Sequence, residues 1–379
     1  MKKYLTFLLI LPIVALLYFY SNIYNIQHTP PTLVIKPLER TVSLLFIGDI
    51  MGHKSQINAA YDKKSKTYKY DTTFAKVAPI IKSYDFSLAN LEVTLAGAPY
   101  SGYPSFASPV SLAKAAKQAG IDVCFTANNH ACDKGRKGIR RTIKALNDLN
   151  ITHTGTFSKK LDRKKSNLVI LEKNGIRVGL LNYTEHTNWV PTPKGTFVNR
   201  IDLPKMITDI KKTVSQKLDK LVLMVHWGAE YKHHPHKKNV ALAKKLFNAG
   251  ADIIIGSHPH VLQPMHYTKE SNTSKEKLIY YSLGNFVSDQ RRRYTNGGGL
   301  AGLVIAKKEG KSYIKKRGYH LIWVNKHRKA GKNIFEVLSV KSYEDNKSYL
   351  KGFAKKKMEE FITDSRRLLN KHNSNVTEW

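Results

Sequence analysis

The sequence contains few cysteines and few acidic residues for its length. Two cysteines among 379 residues, Cys124 and Cys132, exclude a fold held together by a disulfide framework. Cys124 lies inside an apolar run and is interpreted as a small core residue. Asp and Glu number 28 against 63 Lys and Arg, which leaves a formal net charge of +35, more than solubility alone requires. This imbalance favours a polyanionic partner (nucleic acid, anionic lipid headgroups or an acidic polymer), although a lysine-rich solvated surface explains the same composition.

The N-terminal segment has the pattern of a membrane anchor. Lys2 and Lys3 precede an apolar and hydroxyl-bearing run over residues 4–20. As a helix this run reaches about 25 Å, near the lower limit for crossing a bilayer. The residues after it lack the small-residue pair of a cleavage site, which favours an uncleaved anchor over a removed signal peptide. The lysines are expected to stay inside, so the sequence predicts a single-pass protein of the cytoplasmic (inner) membrane with an extracytoplasmic folded part.

This predicted topology argues against nucleic acid as the polyanionic partner. The lysine-rich stretch between Lys54 and Lys69 also lacks the aromatic interleaving of a nucleic-acid surface. The predicted partners are therefore an acidic polymer outside the cell and the membrane itself.

Composition divides the chain into four regions. Residues 1–26 are the predicted membrane anchor, and residues 27–40, which contain three prolines, are predicted to form an extended stalk. Residues 41–310 alternate short apolar runs typical of strands with amphipathic stretches typical of helices, which predicts one layered α/β domain. The candidate strands are 42–47, 123–126, 178–181, 221–225, 253–255 and 279–281, and the candidate helices are 74–82, 111–119, 137–149, 204–218 and 239–249. Residues 311–379 are rich in lysine and are interpreted as a basic C-terminal appendage.

Side chains that can bind metal follow the candidate strands. Each comes at the end of an apolar run or shortly after it, and the set comprises Asp49, Glu92, Asn129, His130, His226, His258 and His260. Because ligands bind at the carboxyl ends of strands in α/β sheets, these side chains are expected to converge on one rim.

These residue types are the ones that a divalent transition metal prefers. Imidazole nitrogens and carboxylate oxygens together suit manganese, zinc or iron, and no thiolate is offered. In His258-Pro259-His260 the two imidazoles lie on the same side if the segment is extended. A single loop histidine is more often a satisfied polar residue than a ligand, but several such segments with one topology favour a metal site. The sequence therefore predicts a hydrolase-type centre that binds a divalent ion.

Six segments carry these residues and resemble, in the same order, the motifs of the CapA family of bacterial capsule-synthesis proteins. They are Gly48-Asp49-Ile50-Met51-Gly52-His53, Ala89-Asn90-Leu91-Glu92, Ala127-Asn128-Asn129-His130 with Asp133 and Gly135, His226-Trp227-Gly228-Ala229-Glu230-Tyr231, Gly256-Ser257-His258-Pro259-His260 and Tyr281-Ser282-Leu283-Gly284-Asn285-Phe286. The resemblance extends over residues 41–302. That family is associated with poly-γ-glutamate, and its fold is similar to that of the calcineurin-like metallophosphoesterases.

The resemblance implies a four-layer α/β/β/α sandwich with one or two metal ions at the strand ends. It implies that Asp49 and His260 bind one ion and that Asn129, His226 and His258 bind the second. Two ions bridged in this way lower the pKa of a shared water molecule.

Two further residues take catalytic positions by the same resemblance. Glu92 stands where metallophosphoesterases have a bridging Asp, and His130 stands where they have a general acid. The chain departs from the metallophosphoesterase pattern at Met51, where those enzymes have a histidine ligand, unless His53 replaces it. Phosphodiester hydrolysis therefore does not follow from the fold, because activity depends on the residues of the site.

Two groups beside the motifs have open interpretations. Glu230 and Tyr231 either orient His226, or Glu230 is an ordinary carboxylate at a helix start. Arg291, Arg292 and Arg293 either hold carboxylates of an acidic chain bidentately or form a solvated loop.

The leading hypothesis is a membrane-anchored protein of capsule or poly-γ-glutamate synthesis or export, which acts with other capsule-synthase subunits and carries a metal-dependent hydrolase-type site. Whether the site is catalytic stays open. One alternative is an extracytoplasmic metallophosphoesterase that acts on a soluble or lipid-linked phosphate ester. Another is a non-catalytic scaffold for polymer assembly, for which Met51 is the sequence observation.

Overall fold

The structure, a computed structural model, describes residues 38–271, 275–329 and 331–379. The predicted membrane anchor at 1–26 and nearly all of the predicted stalk lie outside the described residues. Within those ranges, none of the helices combines the length and the apolar character that a bilayer span requires.

The elements alternate along most of the chain. The strands are β1 (Arg40–Ile50), β2 (Tyr61–Asp62), β3 (Thr67–Tyr68), β4 (Phe86–Leu91), β5 (Val123–Phe125), β6 (Thr152–Thr154), β7 (Thr156–Phe157), β8 (Val169–Lys173), β9 (Ile176–Thr184), β10 (Phe197–Val198), β11 (Lys220–His226), β12 (Ile253–Ser257), β13 (Met265–Lys269), β14 (Glu276–Tyr280), β15 (Asn285–Val287), β16 (Gly297–Lys308), β17 (Lys311–Lys329), β18 (Lys332–Ser339) and β19 (Thr377–Glu378). The α-helices are α1 (Lys54–Ala60), α2 (Asp71–Phe74), α3 (Ala78–Lys82), α4 (Val110–Gln118), α5 (Gly135–Asp148), α6 (Lys160–Ser166), α7 (Leu203–Lys212), α8 (Lys237–Ala249), α9 (Val340–Asp345) and α10 (Gly352–His372), with short 3-10 helices at Val214–Gln216 and Lys347–Tyr349.

Two large sheets form the centre of the domain. The first sheet has the order β18-β17-β16-β1-β4-β5-β6, with β15 paired to β1 and β19 paired to β17. The second has the order β13-β14-β12-β11-β9-β8. Strands β1, β4, β5 and β6 are parallel to one another, as are β9, β11, β12 and β14. The mixed α/β fold predicted from the sequence is confirmed.

The apolar faces of the strands explain how the layers pack. One core cluster joins the two sheets and includes Phe46 and Phe125 of the first sheet and Met224 of the second. A second cluster packs the other face of the first sheet against helices, α4 among them, and a third packs the second sheet against α7 and α8. Strands such as β11 are buried along their whole length, which is why their sequences are continuous apolar runs rather than alternating ones.

The C-terminal segment 311–379, interpreted from its lysine content as an appendage, contributes to the same sheet and the same core. Strand β17 pairs with β16 along twelve residues and also with β18. Helix α10 buries Met358, Phe361 and Leu369 in the cluster between the sheets. The lysines of β17 are exposed or half-buried and lie among buried residues such as Ile314, so the lysine content of the segment does not reveal the strand.

Candidate metal centre

The predicted site residues lie at the carboxyl ends of strands in both sheets. Asp49 is the penultimate residue of β1, Glu92 directly follows β4, and Asn129 and His130 lie in the loop after β5. His226 ends β11, and His258 and His260 follow β12. All seven side chains are buried.

Two clusters of potential ligands share one carboxylate. In the first cluster, one ligand atom each from Asp49, Glu92 and His260 lie within 4.8 Å of one another. In the second, ligand atoms of Glu92, His226 and His258 meet the same limit. The Glu92 Oε1 atom lies 3.5 Å from His226 Nε2 and 3.7 Å from His260 Nε2, so Glu92 stands between the two clusters.

Asn129 adds an amide oxygen to the second cluster. Its Oδ1 lies 2.8 Å from His226 Nε2. The structure therefore brings together all six residues that were predicted as metal ligands. His130 lies beside them but belongs to neither ligand cluster.

Two buried atoms of the clusters have no hydrogen-bond partner among the described residues. They are Oε1 of Glu92 and Nδ1 of His258. A buried polar atom without a partner costs free energy, about 1–3 kcal/mol for a neutral group and more for a charged one. A cation bound between the clusters would satisfy these atoms, so the residues present fit a divalent metal ion.

The charges of the site also indicate a place for a cation. Burial and the neighbouring Asp49 carboxylate raise the pKa of Glu92 well above its ordinary value. Burial and the other imidazoles lower the pKa values of His226 and His258 well below the ordinary value. Neutral imidazoles offer lone pairs to a metal, and a cation relieves the repulsion between the two carboxylates.

Hydrogen bonds outside the clusters orient the ligands. Asn285 Oδ1 lies 3.0 Å from His260 Nδ1, while its Nδ2 donates to the carbonyl of Thr295 and to Gln290. The Asn285 oxygen, together with Asp49 Oδ2 at 3.2 Å, therefore accepts the Nδ1 hydrogen of His260, which leaves Nε2 to face Glu92. Ser257 Oγ lies 2.8 Å from His226 Nδ1 and Asn129 Oδ1 lies 2.8 Å from its Nε2, so contacts at both ring nitrogens fix the orientation of His226.

The sequence predicts that the two imidazoles of His258-Pro259-His260 lie on the same side if this segment is extended. The backbone is not extended. His258 and His260 have φ values of +96° and +57°, in the region that residues other than glycine rarely adopt. The two imidazoles nevertheless turn inward, one to each ligand cluster, with ring centroids 6.1 Å apart. Backbone strain of this kind is concentrated at functional sites.

His130 is held by a carboxylate of its own loop. Its Nδ1 lies 2.8 Å from Asp133 Oδ2, and that oxygen also accepts the backbone N–H of Phe106. The ring of Phe106 meets the imidazole edge to face at 4.6 Å, and Asn188 Nδ2 lies 3.5 Å from its Nδ1. These contacts fix the orientation of the His130 imidazole, with Nδ1 facing Asp133.

One further imidazole, that of His186, lies beside the ligand clusters. The His186 ring, half-buried in the loop after β9, meets the His258 ring at 5.0 Å. No motif contains it, but its place two residues beyond the end of β9 is a signal that could have marked it. Glu230 and Tyr231 do not orient His226, whose ring nitrogens face Ser257 and Asn129 instead.

His53 does not take the ligand position that Met51 leaves. Its Nδ1 lies 3.1 Å from Gln56 Oε1 and 3.3 Å from the backbone nitrogen of Asp289. It belongs to neither ligand cluster. Burial lowers its pKa to about 4, so the imidazole is neutral at physiological pH.

One matching family and two curated relatives of this chain are named for capsule or PGA synthesis. The family described as bacterial capsule synthesis protein PGA_cap matches residues 43–290. The capsule biosynthesis protein CapA of Bacillus anthracis is 32% identical over 296 residues, which cover 74% of this chain and 68% of the relative. The PGA biosynthesis protein CapA of Bacillus subtilis (strain 168) is 28% identical over 256 residues, which cover 66% of this chain and 64% of the relative. The matches thus extend over about two thirds of the relatives' own lengths.

Two solved structures illustrate the similarity of this chain to proteins of known structure. NAD nucleotidase of Haemophilus influenzae has a TM-score of 0.49 at 14% identity and covers 90% of this chain and 64% of its own. The calcineurin-like phosphoesterase YfkN of Bacillus subtilis has a TM-score of 0.48 at 14% identity and covers 87% of this chain and 99% of its own.

Proposed function

The chain belongs to the bacterial capsule synthesis protein family PGA_cap, and we propose that it serves the synthesis or export of an acidic capsule polymer, poly-γ-glutamate or a similar one, through a metal-dependent hydrolase-type site. The observation that carries the proposal is the pair of carboxylate–imidazole clusters that share Glu92. The names of the two CapA relatives supply the polymer class, and the net charge of +35 favours an acidic partner. Other capsule-synthase subunits are the protein partners that this function requires.

The ligand sets of the proposed centre follow from the two clusters. One divalent ion, manganese, zinc or iron, would be held by Asp49, Glu92 and His260, and a second by Glu92, Asn129, His226 and His258. When bound, such ions polarise a substrate oxygen and lower the pKa of water.

The protein's own contribution to the reaction centres on His130. Asp133 holds its Nδ1, so the imidazole can carry a proton on Nε2 and donate it to the leaving group of the substrate. The Asp133 carboxylate stabilises the imidazolium that must be present before this donation, and the imidazole is neutral once the proton has been given up. Because His130 lies outside both ligand clusters, metal binding would leave it available for this role.

We place this centre outside the cytoplasm, on a protein anchored by residues 4–20. This part of the proposal rests on the apolar N-terminal run and its two preceding lysines.

Elemental analysis of the purified full-length protein tests the metal centre directly. We expect about one or two divalent ions per chain, as in comparable centres. His226→Ala and His258→Ala should each reduce the metal content by about half or more, because each removes a ligand of the second cluster. His234→Ala is the matched control, since this histidine is exposed and lies outside both clusters. Metal-free wild-type protein after growth and purification with manganese, zinc and iron would overturn the proposed centre.

Polymer production tests the biological role. In cells that lack the native gene, wild-type protein should restore the acidic polymer, whereas His226→Ala should not. His130→Gln separates a catalytic role from a structural one, because it leaves both ligand clusters intact and removes the proton donor. Full polymer yield with His130→Gln would contradict the hydrolase-type chemistry and favour a scaffold.

A second candidate, hydrolysis of a phosphate ester, is favoured by the buried pair of His130 and Asp133 beside the clusters. Turnover of a chromogenic phosphodiester with manganese, lost in His258→Ala and retained in His234→Ala, would support it. If this protein hydrolyses such esters and its loss leaves the polymer yield unchanged, phosphate-ester hydrolysis replaces the leading proposal.

A further inference from the structure

Arg292 differs from the two arginines beside it because its guanidinium has no carboxylate partner. Arg291 donates to Asp289 and to the backbone carbonyls of Ser288 and Val324. Arg293 donates to both carboxylate oxygens of Asp364 at 2.9 Å. Among the described residues, no carboxylate oxygen lies within 4.0 Å of the Arg292 guanidinium, which is exposed. The structure therefore separates two arginines with structural roles from one that is available to a ligand.

Arg292 lies next to the metal centre. Its guanidinium stacks over the ring of Tyr231 at 4.9 Å from the ring centroid. The same ring also lies beside the His260 imidazole, with ring centroids 6.3 Å apart. Tyr231 itself is tied to the ligand loop, since its backbone N–H donates to the carbonyl of Pro259 at 2.8 Å. The guanidinium is thus one tyrosine ring away from a ligand of the first cluster.

A chain of hydrogen bonds fixes the Arg292 backbone from the other side. The carbonyl of Arg292 accepts from both the backbone N–H and the hydroxyl of Thr295. The carbonyl of Thr295 accepts from Asn285, whose Oδ1 holds the Nδ1 hydrogen of His260. The Tyr231 ring and the hydrogen bonds through Thr295 and Asn285 both connect Arg292 to His260. The fold therefore sets the position of Arg292 relative to the metal centre before a substrate binds. Preorganisation of this kind lowers the entropic cost of binding.

The chemistry of this position suits a carboxylate. A guanidinium binds a carboxylate through two parallel hydrogen bonds, and stacking on an aromatic ring leaves its edge free to do so. Glu230 hydrogen-bonds to Tyr231 and forms no ion pair with the Arg292 guanidinium within the described residues. A polymer with one carboxylate per repeat that reaches the metal centre presents further carboxylates along the mouth of the site.

We propose that Arg292, stacked on Tyr231, is a substrate-binding residue that holds a carboxylate of an acidic chain whose neighbouring repeat lies at the metal centre. This inference rests on the proposed function, because it assigns the substrate class of the same site. Of Arg291, Arg292 and Arg293, it assigns to Arg292 the carboxylate binding that the sequence pattern left open.

The test is the affinity of the full-length, manganese-loaded protein for a fluorescently labelled γ-linked glutamate oligomer at about 0.15 M salt, where charges separated by more than about 8 Å are largely screened. Arg292→Gln should weaken binding by about tenfold or more, as expected when hydrogen bonds to a charged group are lost. Arg292→Lys should bind with intermediate affinity, because it keeps the charge but loses the planar stack and the second hydrogen bond. Arg140→Gln is the matched control, since Arg140 is exposed on α5 and has no ion pair within the described parts of the chain.

The outcomes separate this inference from the function on which it rests. Equal affinities for Arg292→Gln and Arg140→Gln, with tight binding by the wild type, would overturn the role of Arg292 and leave the proposed function standing. Arg292→Lys with wild-type affinity would also overturn it, because charge alone would then explain the binding. Absence of binding by the wild type would contradict the acidic-polymer function itself. If Arg292→Gln weakens the binding of polyphosphate more than the binding of the glutamate oligomer, a carboxylate chain is rejected as the substrate.

Discussion

Glu92 is the side chain on which both ligand clusters depend. It is fully buried, and one of its oxygens has no hydrogen-bond partner in the described structure. Without a cation, burial and the neighbouring Asp49 carboxylate favour the protonated form of Glu92, so its pKa is raised. The same residue that would bridge two ions therefore makes the metal-free site unfavourable.

Glu92→Gln is predicted to stabilise the metal-free protein in a pH-dependent way. Because the pKa of Glu92 is higher in the folded than in the unfolded protein, the unfolded chain loses this proton first as the pH rises above the ordinary value of 4.5. The contribution of Glu92 to folding is thus complete below that value and falls by about 1.4 kcal/mol per pH unit until the folded-state pKa is reached. Urea unfolding in the presence of a chelator measures the free energy of unfolding of both metal-free proteins at several pH values. This free energy should be larger for Glu92→Gln than for the wild type, and the difference should grow with pH.

Added manganese should reverse this order, because only the wild-type carboxylate can bind both ions. Glu309→Gln removes an exposed carboxylate and serves as the control. A difference between Glu92→Gln and wild type that is constant from pH 5 to pH 8 would contradict the buried, raised-pKa carboxyl group.

At the level of elements, the ends of the strands pack closely enough to require glycine. A Cβ atom built on Gly256 in β12 would lie 2.0 Å from the carbonyl oxygen of Tyr281 and 2.7 Å from Nε1 of Trp227. Trp227 directly follows His226, and its Nε1 donates to the same carbonyl. The chain after β14 is therefore in direct contact with the strand that presents His258.

Gly256→Ala is predicted to destabilise the protein by about 3 kcal/mol or more, because a backbone carbonyl and a packed indole must both move. Gly310→Ala, in the open turn between β16 and β17, is the control: its φ of +77° costs about 1 kcal/mol for an alanine, and no atom obstructs the added methyl group. Chemical unfolding compares the two variants, and equal losses would show that the contact at Gly256 can relax.

The elements that carry the site could be predicted from sequence because they are short, continuous apolar runs followed at once by a polar ligand. The run at 221–225 lies within β11 and is followed by His226. Within β17 the apolar run 321–324 indicates a strand, but the rest of β17 could not be predicted in this way, because its lysines and other polar residues leave no regular alternation of buried positions. The turned backbone of the His258 segment and the approach of His186 also left no periodic pattern, since loop geometry depends on contacts between distant parts of the chain.

For the whole molecule, the C-terminal helix α10 is part of the core. Phe361, 5% exposed, belongs to the cluster between the sheets, whereas Phe353 on the same helix is 75% exposed. Phe361→Ala is predicted to lower the free energy of unfolding by about 3–5 kcal/mol, as for other buried phenylalanines. Phe353→Ala should change it by less than about 0.5 kcal/mol. Urea unfolding of both variants measures the difference, and similar small losses would mean that residues 352–372 behave as a separate appendage.

Each ligand cluster draws on both sheets, with Asp49 and Glu92 from the first sheet and the three histidines from the second. An ion in either position would act as a reversible cross-link between chain segments as far apart as Asp49 and His260, which are separated by 211 positions. Such a cross-link stabilises a fold by restricting the unfolded chain, in the way that a long-range disulfide does. A protein with two cysteines outside any disulfide framework would thereby obtain from a metal ion the kind of long-range tether that disulfide-bonded proteins obtain from sulfur.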